Sequence, residues 1–157
     1  MKAPHNTIVR LASLYLRLAL GVTFLSAVAD RFGVWGPPGS HNVAWGNFTR
    51  FTQYTAQVNP WAPPALVPLL AWAATVAEIV LGVALLGGFY TKGAGLASGV
   101  LLSLFAIGMT IGTGVKTALD ASVFSAAAGA FGLALLGNDP WSLDGLREKS
   151  RRSDGAA

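Results

Sequence analysis

Apolar residues run along this chain in four long stretches, parted by two short polar breaks and one long one. Residues 93–115 hold 23 consecutive positions without a charge, enough for a helix to cross about 30 Å of hydrocarbon at about 1.5 Å per residue. A second uncharged run, 121–138, contains "SVFSAAAGAFGLALLG". Its small residues, Ser125, Gly129 and Gly132 among them, suit a helix whose backbone is approached closely by its neighbours. Between Ala62 and Thr91 the only charge is Glu78, and between Leu11 and Ala29 the only charge is Arg17. Both segments read as membrane spans carrying one ionisable group each. Pro63, Pro64 and Pro68 fall in or near the first turns of the second span, where a missing N–H costs least.

The pattern predicts an all-α bundle of four transmembrane helices. The spans fall at about 8–29, 65–88, 93–113 and 119–137, within a membrane domain 8–140 that follows a short segment 1–7. A loop, 30–64, joins the first two spans, and a basic tail, 141–157, closes the chain. In the loop, "AWGNFTRFTQYTAQV" sets Trp45, Phe48, Phe51 and Tyr54 near helical spacing. This predicts a short helix that either lies on the membrane surface or caps the bundle. Lysine and arginine outside the spans fix the orientation. Lys2, Arg10, Lys92, Arg147, Lys149, Arg151 and Arg152 make seven on one side, against Arg31, Arg50 and Lys116 on the other. Both termini are therefore expected in the cytoplasm, with the loop outside.

Composition agrees with the spans. The chain is 53% hydrophobic and 11% charged, with a mean hydropathy of +0.53, whereas a water-soluble domain carries about 25% charged residues. Cysteine is absent, which excludes disulfides, thiolate chemistry and iron–sulfur ligation by this chain. The net charge is +4, and four of the eleven basic residues, Arg147, Lys149, Arg151 and Arg152, crowd the tail, a membrane-flanking cluster that contacts anionic lipid rather than a nucleic-acid surface. The two histidines, His5 and His41, lie outside the spans, so no intramembrane pair can hold a haem. No cofactor or metal is expected within the chain, and any redox work would need a diffusible quinone or a partner's cofactor.

The segment "LRLALGVTFLSAVADRF" admits two readings. Ala27-Val28-Ala29 resembles a signal-peptidase site; alternatively the segment is a retained first helix with Arg17 inside it. Counted from the cytoplasmic ends, Arg17 lies nine residues into the first span and Glu78 about ten into the second, both at about 14 Å depth. A lone intramembrane charge is costly and faces a partner, so the expected pair is Arg17 with Glu78, which favours retention. The pair serves either to fix two helices against each other or as a proton relay or anchor for a polar head. At the outer mouth Asp30, Arg31, Arg50, Lys116 and Asp120 are expected to gather as a polar cluster, with N-capping of the fourth helix as the simpler role for Asp120. Gly95-x-x-x-Gly99 with Ser103 marks a packing face, used within the bundle or for homo-oligomers.

The arginine in helix one, the Glu78-x-x-x-Gly82 spacing and the Gly-aromatic-x-Thr-Lys turn at Gly88 to Lys92, in this order from Leu11 to Leu136, resemble the DoxX family of small four-helix membrane proteins. That resemblance implies a bacterial or archaeal cytoplasmic-membrane protein, the subunit of a quinone-linked oxidoreductase concerned with thiosulfate or oxidative stress, working with a second subunit. It implies no catalytic residues. The rival expectation is a non-enzymatic membrane scaffold or assembly factor. A permease is disfavoured, because the last two spans offer only scattered hydroxyls.

Overall fold

A computed structural model describes residues 3–137 and 141–146, with side chains from Thr7 onward. The described residues form helices and turns without strands. The order is α1 (Ala3–Arg31), α2 (Phe48–Val58), a 3-10 turn (Pro64–Leu66), α3 (Val67–Gly87), α4 (Thr91–Thr113), α5 (Val115–Asp120) and α6 (Val123–Leu136).

Local chemistry sets the boundaries. Asn47 caps α2, its side chain accepting the Arg50 N–H at 2.9 Å, which satisfies one of the orphan donors of the first turn. Prolines at 64 and 68 open the 3-10 turn and α3. Gly88, at φ 64°, takes the left-handed position that ends α3, and Phe89 N–H returns to the Ala84 carbonyl at 2.9 Å. This is the glycine-terminated helix end that no β-carbon tolerates cheaply.

Among the described residues, three helical stretches are long and apolar enough to cross a membrane: Thr7–Arg31, Pro64–Gly87 and Thr91–Thr113. The protein is membrane-integral on that basis. The fourth expected span differs from its prediction. Residues 119–137 are not one helix: α5 ends at Asp120, Ser122 adopts φ 55°, and α6 is a shorter apolar helix of 14 residues, roughly 21 Å long. The break also corrects Asp120, which closes α5 instead of capping the last helix. Its carboxylate takes the Lys116 ammonium one turn back, and both side chains are exposed.

Helices α1 and α3 run antiparallel and close, with Gly21 against Gly82: a β-carbon on Gly21 would stand 3.0 Å from the Gly82 carbonyl oxygen. Helices α4 and α6 pair similarly, but through α4's glycines. A β-carbon at Gly95 would stand 3.1 Å from the Ala130 oxygen and the Ala134 nitrogen, and Gly99 accommodates the Phe131 ring. The small residues expected to serve this purpose on α6 do not. Gly132 faces open space, Gly129 meets only the tip of Leu16, and Ser125 is exposed. Alanines supply the close face of α6, whereas Gly95 and Gly99 do pack within the bundle. Between the two pairs, Leu20, Phe24, Leu85, Leu102 and Leu133 make the core.

The two ends of the bundle differ. At one, here the cap end, α2 lies over the helices with Phe51 and Thr55 buried, and Gly112 of α4 receives its last turn so closely that any β-carbon there would collide with the Gln57 carbonyl. The loop helix is thus a cap rather than a surface float. At the other, the turn end, residues 141–146 fold back on the α3–α4 turn. Asp144 accepts the N–H groups of Tyr90 at 3.0 Å and Thr91 at 2.7 Å, supplying from a distance the carboxylate that the start of α4 lacks. Ser142 is fully buried beneath it. The tail from 147 on, with its basic cluster, lies outside the described residues.

Candidate functional site: a buried arginine under an aromatic cap

The last two residues of α1, Asp30 and Arg31, build a buried polar site. Arg31 ends the helix, where a cation suits the negative end of the helix dipole, and Gly33 at φ 75° then turns the chain away. Its guanidinium meets both oxygens of Glu78, Nη2 standing 2.7 Å from Oε1 and 2.7 Å from Oε2. Nη1 donates to Thr75 Oγ1 at 2.9 Å, and Thr75 donates on to the Ala71 carbonyl at 2.8 Å. Arg31 and Glu78 are each 2% exposed and Thr75 is 0% exposed.

The cap seals this pair with rings. The Phe51 ring centroid lies 3.7 Å from Arg31 Cζ and that of Trp45 lies 5.4 Å away, placing a cation over two π faces. Trp45 and Phe51 meet edge to face at 5.1 Å, and Phe48 bridges onward to Trp72 at 4.4 Å. Asp30 faces the other way. Its Oδ2 accepts the backbone N–H groups of Ala44 at 3.1 Å and Trp45 at 2.9 Å. Those two donors offset the unfavourable position of a carboxylate at a helix C-terminus. Asp30 therefore fastens the loop, and Arg31 fastens α3, from adjacent positions. On α2, partial burial pushes the Tyr54 phenol above its ordinary range.

The partner of Glu78 is thus Arg31, and the expected Arg17–Glu78 pair is not formed. Arg17 is buried at the turn end, where Nη2 donates to the Leu86 carbonyl at 3.4 Å and the guanidinium lies over Gly88, beside Ser142. The reason is register. Helix α1 begins at Ala3 rather than near residue 8 and overshoots the end of α3. Arg17 is consequently level with Gly88, while Glu78 sits ten residues back along α3, about 15 Å away. Arg17 thus donates to a last-turn carbonyl of α3, a favourable place for a cation. The expected outer cluster also divides. Asp30 and Arg31 are buried, Arg50 is exposed on α2, and Lys116 and Asp120 satisfy each other on the surface. Thr75, Trp45 and Phe51 complete the site; the near-helical spacing of Trp45 and Phe51 marks them in the sequence as part of a candidate cap, and Thr75 stands three residues before Glu78 on the same helical face.

A sequence model of the family described as methylamine utilisation protein MauE matches residues 9–136. The chain belongs to the MauE family. No curated protein and no solved structure matches it. The match overturns the resemblance to DoxX, and the geometry explains how that resemblance arose. Gly82 is where α1 approaches α3, and Gly88 to Lys92 is a glycine-capped turn between antiparallel helices. Such features solve packing problems common to small membrane bundles, so they mark the architecture and not one family. In this MauE-family chain the matched stretch takes in α1 through α6 almost whole, including Asp30, Arg31, Thr75 and Glu78.

Proposed function

We propose that this protein is a membrane-integral accessory of a methylamine-utilisation system, a scaffold on which the redox enzymes of that system are held or assembled. Family membership supports the system. The observation that carries the accessory role is the sealed Arg31–Glu78 pair: a buried ion pair joins α1 to α3, with Phe51 of the cap closed over it. Buried pairs of this kind specify how elements meet. In this reading α6 is the fourth pass, completed by α5 and the chain on either side. The seven-to-three distribution of basic residues supports a topology with both termini in the cytoplasm and the α2 cap outside. The cap, rigid through its stacked rings, is then the face offered to partner proteins across the membrane.

Affinity purification of the tagged full chain from cells grown with and without methylamine tests the role. Co-purification of methylamine-utilisation proteins, dependent on methylamine, is expected. Recovery of the chain alone from cells that oxidise methylamine normally would contradict it.

A further inference from the structure

A cleft of about 190 Å³ opens between α1, α4 and α6. Leu20 and Leu102 of the core form its floor, Ala19 and Thr23 of α1 one wall, and Ser125 and Gly129 of α6 the other. Its origin is local. Helix α6 commits Ala130 and Ala134 to the close contact with Gly95 of α4, and the face it turns to α1 is too small to fill the space between them. A β-carbon on Gly129 would meet only Leu16 Cδ2, at 3.4 Å. Leu102 lies at the middle of the 23-residue α4, so the cleft is level with the hydrocarbon interior. Its lining is apolar apart from two hydroxyls. That of Thr23 is turned into its own helix, donating to the Ala19 carbonyl at 2.8 Å, and Ser125 stands at the exposed rim. Apolar space of this kind stays dry, and about 150 Å³ of it is enough to admit a benzene ring. Leu18 and Val22 beside the cleft on α1, and Phe124 and Phe131 on α6, are exposed. They form the lipid-facing surface of these helices, and the cleft continues that surface inward.

We infer that this cleft holds one acyl chain of a phospholipid, laid along α1 between Leu16 and Thr23, a run of about 10 Å. An acyl chain follows the bilayer normal, as the helices do, and enters from the side without bending. A partner helix with its side chains is about 10–12 Å across and rides over the rim instead of reaching Leu20 and Leu102. Inside a bilayer no hydrophobic force closes a gap between helices, so retention depends on packing contact. A chain in the cleft touches three helices at once, whereas a chain on the outer surface touches one or two, and the difference is made of many small dispersion contacts. The inference stands on the membrane-integral fold and not on the accessory role, so either can fail without the other.

The test is native mass spectrometry of the purified full chain released from mild detergent. One retained phospholipid per chain is expected. Gly129→Leu fills the cleft from its α6 wall and is expected to abolish that retention. Gly132→Leu, on the same helix but facing open space, is expected to leave it unchanged. Wild type without phospholipid, equal retention in wild type and Gly129→Leu, or an isoprenoid quinone or a second protein chain in place of the phospholipid, would each overturn the inference. Should Gly129→Leu lose helicity by circular dichroism, Ala19→Leu fills the same space from α1 and carries the same expectation. Thermal unfolding gives an independent readout. Dioleoyl phosphatidylcholine added to delipidated protein is expected to raise the unfolding temperature of wild type and Gly132→Leu saturably while leaving Gly129→Leu unmoved. An equal rise in all three variants would show lipid on the outer surface alone and contradict the inference.

Discussion

The buried ionisable side chains at positions 17, 30 and 31 of α1 do three different jobs, and which of them reaches Glu78 is decided by the register of α1 against α3. Arg17 serves the carbonyl end of α3, Asp30 ties down the loop, and Arg31 meets Glu78. Removing one partner of a buried pair leaves the other charge stranded, at a cost of about 3–5 kcal/mol. Glu78→Gln is therefore expected to lower the unfolding free energy in detergent by that amount. The paired change Arg31→Met with Glu78→Leu should recover most of it. A double-mutant cycle decides the pairing: Arg31 and Glu78 should couple by more than about 1 kcal/mol, and Arg17 and Glu78 by less than about 0.5 kcal/mol. The reverse ranking would restore the pairing inferred from depth. The sequence showed that Glu78 needs a cation, because charge inside an apolar run is conspicuous. Which arginine answers was not legible, since counting from span ends carries the error of the ends, and α1 begins five residues before the predicted boundary.

Elements were legible where apolar length alone defines them, as for α1, α3 and α4, and where aromatic residues recur at helical spacing, as for α2. The fourth span was not, because a left-handed Ser122 separates α5 from α6 near the start of a run that composition renders continuous. Glycine roles were legible only as a class. Gly112 and Gly132 look alike in sequence, yet one holds the last turn of α2 against α4 and the other faces open space. Gly112→Val should accordingly lift α2 from the bundle, which limited proteolysis within residues 41–60 would register as faster cleavage. Gly132→Ala should leave both cleavage and thermal stability unchanged, apart from the small gain in helix propensity that alanine brings. Equal protease resistance of wild type and Gly112→Val would show that the cap does not depend on this contact.

The whole molecule is a membrane bundle with a closed cap at one end and a fastened turn at the other. The absence of cysteine makes its orientation open to background-free labelling. Asn42→Cys in the cap loop should react with a membrane-impermeant maleimide in intact cells, and Lys92→Cys in the α3–α4 turn should react only after permeabilisation; the opposite pattern would invert the proposed topology. Membrane character was plain in the sequence from hydropathy. Family membership was not, because helix-packing motifs recur across unrelated bundles, and only the match over residues 9–136 distinguishes them. The central claim, that the protein supports methylamine utilisation without performing its redox chemistry, is tested most directly by deleting its gene in the native host and supplying methylamine as the sole nitrogen source. Loss of growth is predicted, with wild-type complementation restoring it and with purified methylamine-oxidising enzyme from the complemented strain fully active in the absence of this chain. Undiminished growth of the deletion strain, or a purified enzyme inactive until this chain is added back, would contradict the account.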